Sequence, residues 1–311
     1  MKIDWRGVIP AITTKFNEDY SIDHAFFAEH CRWLVDSGCV GLVPLGSLGE
    51  GATQSFEEKV ALLETALGAV GDRVPVIPGI ASLSTSEAVR LAQAAEAAGC
   101  SGLMVLPPYI YSTDWREMKA HVSTVINSTT LPVMLYNNPV AYKTDFLPEQ
   151  IAELAQDHAN FVAVKESSTD VRRVTALRAL LQDRLELLVG VDDAIVEGIQ
   201  VGAVGWIAGL VNAFPVESVA LFRLARQVRE GQGDRASLEA LYNWFLPLLR
   251  MDTVPKFVQL IKLAQERVGM GSARVRPPRL ELVGDELKQA QRTITNALEQ
   301  RPAIVSALQE P

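Results

Sequence analysis

Cysteine and histidine are scarce in this chain. Its 311 residues include three cysteines and four histidines. Cys31, Cys39 and Cys100 show neither metal-ligand spacing nor a paired framework, so they are expected to be buried small apolar side chains. His24, His30, His121 and His158 are scattered over predicted helices or just past their ends. That leaves no zinc motif and no histidine-based nucleophile system, and neither a metal nor an organic cofactor is expected. No block of basic residues is present either. Lys and Arg number 29 against 37 Asp and Glu, a formal net charge of -8. Nucleic acid and anionic membrane surfaces are therefore not expected partners, whereas a small anionic substrate is compatible, because the local field decides its binding. Long apolar runs are missing as well. The longest region, Val201 to Val216, is interrupted by glycines, Asn212 and Pro215 and is shorter than a comfortable bilayer span. Met1 to Arg6 is charged and lacks the apolar stretch of a signal peptide, so a cytoplasmic location is expected.

What the chain does have is a regular alternation of strand-like and helix-like segments. Strand-like runs lie at Val8–Thr14, Gly41–Gly46, Val74–Gly79, Gly102–Leu106, Pro132–Tyr136, Phe161–Lys165, Leu185–Val191 and Ala203–Leu210. A helical pattern follows each of them. Ser55 with Glu58, and Ser84 with Glu87, have the spacing of a capping box, and Pro215 stands at a favoured first-turn position. The near-continuous apolar strands point to a parallel sheet covered on both faces. Eight units of about 30 residues predict a closed (β/α)8 barrel, an α/β fold, over residues 1–232. A doubly wound open sheet is the alternative, but no glycine-rich phosphate fingerprint follows the first strand. Residues 233–311 read as a helical extension packed on the barrel or serving an oligomer contact. Its helical patterns lie near Ser237–Leu249, Thr253–Val268 and Asp285–Leu298, with a stiff break at Arg276-Pro277-Pro278.

In such a barrel the reactive residues stand at the C-terminal ends of the strands. The sixth strand ends in Lys165. A lysine there either snorkels to water or sits in an apolar mouth, where desolvation favours the neutral amine that attacks carbonyls. The fifth strand ends in Tyr136, a packed aromatic or a proton relay. After the second comes Gly46-Ser47-Leu48-Gly49-Glu50, an ordinary turn or a loop whose backbone N–H groups face a carboxylate. Asp192 and Asp193 follow the seventh strand, where helix capping is the expected role. An amine, a phenol and a carboxylate loop on one rim fit Schiff-base chemistry on a 2-keto acid. In that scheme Lys165 is the nucleophile, and Tyr136 and Ser47 move protons.

These same motifs resemble the dihydrodipicolinate synthase and N-acetylneuraminate lyase family. The resemblance rests on Gly46–Glu50, on Tyr136-Asn137-Asn138-Pro139, on Val164-Lys165-Glu166-Ser167, and on the strand ends at Gly190-Val191-Asp192-Asp193 and Gly202–Ile207. It runs in order over nearly the whole chain. It implies a Schiff-base lyase acting on pyruvate or a related 2-keto acid, assembled as a homotetramer. It also implies a substrate bordered by Ser47, Leu48, Gly190 and Ile207. Ala141 lies where the synthases carry an arginine for the second substrate's carboxylate. Ile110 falls where they place a tyrosine that reaches the neighbouring subunit, so Tyr109 or Tyr111 is expected to supply that relay. The motif variants resemble catabolic relatives, first a pyrroline-4-hydroxy-2-carboxylate deaminase. The alternatives are a 2-keto-3-deoxy sugar acid aldolase or dehydratase, a 4-hydroxy-tetrahydrodipicolinate synthase, and a keto-acid-binding sensor that turns nothing over.

Overall fold

In the computed structural model, residues 3–108 and 114–302 are described. Seven strands, β1 (Gly7–Pro10), β2 (Gly79–Ile80), β3 (Leu103–Val105), β4 (Val133–Asn137), β5 (Phe161–Glu166), β6 (Glu186–Val189) and β7 (Gly205–Ala208), form one parallel sheet. They pair in the order β1-β7-β6-β5-β4-β3-β2. The expected run at Gly41–Gly46 is not a full strand. It closes the barrel through isolated parallel bridges, Ala11 with Val43 and Leu42 with Val76. The reason is visible in the sequence: Pro10, Pro44, Pro75 and Pro78 all lie along this seam, and proline has no N–H to give a ladder. The donors that remain are used. Val43 N–H donates to Pro10 O at 2.8 Å and Ile77 N–H to Leu42 O at 2.8 Å. The fold is a (β/α)8 barrel with a C-terminal helical extension.

Alternation along each strand sorts the side chains into two layers. Ile9, Val43, Ile77, Met104, Met134, Ala163, Leu188 and Ile207, one from each stave, belong to a single buried cluster that fills the barrel. Their neighbours in sequence, such as Val8, Leu42, Val76, Val105, Leu135, Val164, Leu187 and Trp206, face outward into the layer under the helices. The helices start where their caps predict. Ser55 accepts from Glu58 N–H and Glu58 bonds back to Ser55 N–H, completing the capping box of Phe56–Val70. Asp114 caps Trp115–Asn127.

The extension holds helices Arg235–Leu249, Phe257–Arg267 and Gly284–Glu299, with a 3-10 turn at Arg250–Thr253. The single pattern expected over Thr253–Val268 is thus divided, and residues 254–256 separate the turn from the helix. Arg276 fastens this tail to the barrel. Its guanidinium donates to both Glu58 carboxylate oxygens at 2.8 and 2.9 Å and to Thr53 O at 3.0 Å. A buried ion pair does the same nearer the rim. Lys262 Nζ reaches Glu50 Oε1 at 2.8 Å and Thr14 O at 2.8 Å, while Arg276 N–H donates to Glu50 Oε2 at 3.0 Å.

Candidate active site

Counting two residues onward from the inner layer leads to the rim. After Met134 comes Tyr136, after Ala163 comes Lys165, after Leu188 comes Gly190 and after Ile207 comes Gly209. The register fixes the first two as neighbours, because Tyr136 and Lys165 are paired across β4 and β5. The parity of the strand therefore turns Lys165 inward rather than toward the helices. It is 6% exposed, and its Nζ lies 3.9 Å from the centre of the Tyr136 ring. The snorkelling alternative is not what the chain adopts.

Gly190 explains how a lysine fits there. A Cβ at position 190 would collide with Lys165 Cε and with Ser167 Oγ. The lysine side chain passes over the space a side chain would fill. Burial lowers the Lys165 pKa to about 8, against the opposing pull of the Asp252 and Asp192 carboxylates. Burial likewise raises the Tyr136 phenol to about 12, with its hydrogen bond from Asn138 working the other way.

The hydroxyl groups gather around Tyr142. Ser47 Oγ and Tyr142 Oη share a short hydrogen bond. The Tyr142 ring meets the Tyr136 ring edge-on, 5.8 Å between centroids. Asn138 arranges this pair. Its carboxamide oxygen accepts from Ala141 N–H at 3.0 Å, capping the single turn Pro139–Tyr142, while its Nδ2 donates to Tyr136 Oη at 2.9 Å. Tyr142 was not singled out from the sequence. The Asn138-Pro139 pair could have flagged it, as a cap followed by a favoured first-turn proline. Tyr109 and Tyr111, the expected relay, lie outside the described residues.

A cavity of about 410 Å³ joins these groups. Ser47, Leu48, Tyr136, Tyr142, Lys165, Gly190 and Ile207 all line it. Leu48 is buried with the inner barrel cluster, so its side chain is apolar lining. Ala141 also faces the cavity, and the guanidinium-bearing residue on its wall is Arg279, from the extension. Asp252 lines it too. Neither was singled out as a site residue from the sequence, since both come from the tail.

The expectation that Asp192 caps a helix is corrected. No side-chain cap is formed at the turn Asp192–Ala194 or at the helix Ile195–Gln200. The buried Asp192 carboxylate instead accepts from Trp206 Nε1 at 2.9 Å, from Gly209 N–H at 3.0 Å and from Leu210 N–H at 2.7 Å. It ties the end of β6 to the end of β7, where backbone donors left over beyond the strand await an acceptor. Asp193 pairs with Arg250 at 3.6 Å. Among the described residues no group of three or more His, Cys, Asp and Glu is placed to hold a metal ion. Among them, too, no helix is long and apolar enough to cross a membrane.

The chain is 33% identical over 279 residues to a 4-hydroxy-tetrahydrodipicolinate synthase of Rhizobium meliloti, covering 89% of this chain and 92% of that one. It is 32% identical over 268 residues to a probable 2-dehydro-3-deoxy-D-pentonate aldolase of Escherichia coli, covering 85% and 87%. The solved structure of a 4-hydroxy-tetrahydrodipicolinate synthase from Methylacidiphilum fumariolicum superposes with a TM-score of 0.91 at 28% identity, over 97% of this chain and 99% of that one. The model of the dihydrodipicolinate synthetase family matches residues 4–297, and the chain belongs to that family.

Proposed function

We propose that the protein is a Schiff-base lyase acting on a 2-keto or 2-imino acid, with Lys165 as the nucleophile. The observation that carries this reading is the buried amine, held by strand register against a phenol and facing a cavity of about 410 Å³. With its pKa lowered to about 8, a useful fraction of Lys165 is neutral near physiological pH. The Nζ lone pair attacks C2. From a ketone, the oxygen leaves as water, taking protons relayed through Tyr136 and the Tyr142–Ser47 pair. From a cyclic imine, the C2–N bond breaks instead and the ring nitrogen departs as an amine still attached to the substrate. Either route leaves a lysine iminium at C2. The loop at Ser47 and Leu48 holds the substrate carboxylate through backbone donors. Loss of a C3 proton then gives an enamine, the electron-rich intermediate for elimination, cleavage or addition. The Asp192 carboxylate, kept in place by its three donors, offsets the positive charge of the iminium.

Our first choice of substrate is a 4-hydroxylated pyrroline-2-carboxylate. It opens on Lys165, loses its C4 hydroxyl as water, and takes up two waters as the C5 imine and the lysine iminium are hydrolysed. The net reaction consumes one water and releases ammonia and a 2,5-dioxo acid. Ala141 supports this choice, since the synthases' arginine for a second carboxylate is replaced there by a methyl group. A second reading, cleavage or condensation with an aldehyde, is supported by the names of the relatives and by Arg279, which brings a guanidinium to the cavity from another direction. Incubation with the hydroxylated pyrroline and assay of ammonia decides between them. Stoichiometric ammonia and a 2-oxo aldehyde are expected. No ammonia, together with efficient condensation of pyruvate and aspartate semialdehyde, would establish the synthase reading instead. The family resemblance also supports a homotetramer, which sedimentation velocity reads directly.

A further inference from the structure

One wall of the cavity that holds Lys165 is not part of the barrel. Asp252, Thr253, Val254 and Pro255 belong to the extension, and all four line the cavity. Asp252 sits in the 3-10 turn Arg250–Thr253, between two of the tail helices. Its carboxylate leans on the end of β7 so closely that a Cβ at Gly209 would fall on it. Gly209 is the rim position of its own strand, two residues after the inner-layer Ile207. The tail therefore delivers a carboxyl group to the same level of the barrel as Lys165 and Tyr136, and all three face the one cavity.

Two carboxyl groups then share this rim, and their surroundings divide the roles. Burial raises the Asp192 carboxyl to about 6, but it accepts from an indole and two backbone N–H groups, which work the other way and leave it an anion near the lysine at neutral pH. Asp252 is pushed well above the usual carboxylate range by burial and by the neighbouring Asp192, against the pull of Lys165. Paired carboxyl groups whose environments push them apart in this way supply one charge and one proton.

We infer that Asp252 is a catalytic residue, the acid that protonates the leaving hydroxyl at C4 of the substrate. This rests on the elimination reading given above. The enamine nitrogen pushes its electron pair toward C2 and the C2=C3 pair moves to C3=C4. The C4–O bond breaks toward oxygen, and the Asp252 carboxyl proton passes to that oxygen, which leaves as water. Asp252 is left as a carboxylate and regains its proton from solvent. The geometry suits the task. Lys165 holds C2, and Asp252 brings a carboxyl group into the same cavity from the extension. The class of substrate follows: a 2-keto or 2-imino acid bearing a hydroxyl two carbons from the bond to Lys165.

The test compares wild type with Asp252→Asn, an isosteric change that keeps the contact with Gly209. Both are incubated with pyruvate or with the hydroxylated pyrroline, reduced with borohydride and weighed intact. Trapping of the pyruvate adduct in the variant, at a rate shifted by the loss of the Asp252 pull on Lys165, shows that it folds and that Lys165 works. With the pyrroline the variant should accumulate an adduct heavier than that of wild type, the whole ring-opened substrate with its C4 hydroxyl retained, and kcat for ammonia release should fall about 100- to 10,000-fold with little change in KM. A variant with kcat within about threefold of wild type and no heavier adduct would overturn the role of Asp252. A wild type that gives the pyruvate adduct but no ammonia would instead overturn the pyrroline reading. The same pair is then compared on dehydration of a 2-keto-3-deoxy sugar acid, whose C4 hydroxyl needs the same acid. An unchanged variant there, or a wild type inactive on both substrates, would overturn the inference as well.

Discussion

Lys165 owes its environment to parity. One residue earlier or later on β5, its side chain would point toward the helices, where burial would require a fixed partner. Facing inward, it shares the cavity with Tyr136 and stands above the inner-layer Ala163. The pH dependence of its chemistry follows from the lowered pKa. Only the deprotonated amine is a nucleophile, so the rate of adduct formation with pyruvate should rise as pH increases through about 8 and then level off. An ordinary lysine would still be gaining above pH 10. Quenched trapping of the adduct across pH 6–11 reads this rate, and a midpoint near that of a free lysine would contradict it. Gly190 carries a second prediction at this scale. Gly190→Ala drives a methyl group into Lys165 Cε, so adduct formation should fall at least about 100-fold while overpacking costs about 1–3 kcal/mol of stability. Near-normal trapping by the variant would show that the space at Gly190 is not what admits the lysine. Lys165 and Tyr136 were legible in the sequence because each ends an apolar run of fixed period, whereas Gly190 was implied by the family resemblance. Tyr142 was not legible, because its position depends on one short turn after a strand, and that turn carries no periodic signal.

Elements differ in how much of them the chain spells out. The helices were legible from their caps, and six of the strands from their apolar runs, while the run Val74–Gly79 overlaps β2 only at Gly79. The second strand was over-read, since hydropathy alone does not register how many N–H groups prolines remove from a seam. The loop that follows it, with Ser47 at its centre, is anchored from below by the Glu50–Lys262 pair. Both side chains are almost fully buried, at 0% and 2% exposure. Glu50 itself adopts a left-handed backbone, φ 56°, so its tether holds a turn that a non-glycine residue resists. Breaking such a pair strands a buried charge. Lys262→Met should cost about 3–5 kcal/mol in denaturant unfolding and weaken pyruvate binding through displacement of the Ser47 loop. Lys262→Met combined with Glu50→Gln should recover part of that loss, because the stranded charge is gone. A single variant as stable as wild type would show that the pair does not hold the loop.

At the scale of the whole molecule, barrel and tail make one site. The barrel contributes the amine, the phenol and the hydroxyl loop, and the extension contributes Asp252, Arg279 and the Lys262 tether. That division explains why the tail's helices could be read from their apolar periodicity while its contribution to the cavity could not. A helix pattern tells which face is buried, not which distant rim it is buried against. Everything in this division depends on Lys165 forming a covalent bond to substrate. The direct measurement is the intact mass of the protein after incubation with pyruvate and reduction with borohydride, for wild type and for Lys165→Ala. Wild type should gain the mass of one reduced pyruvate, located on the peptide containing Lys165, and the variant should gain nothing. An unchanged wild-type mass, or an adduct that persists in Lys165→Ala, would contradict the assignment.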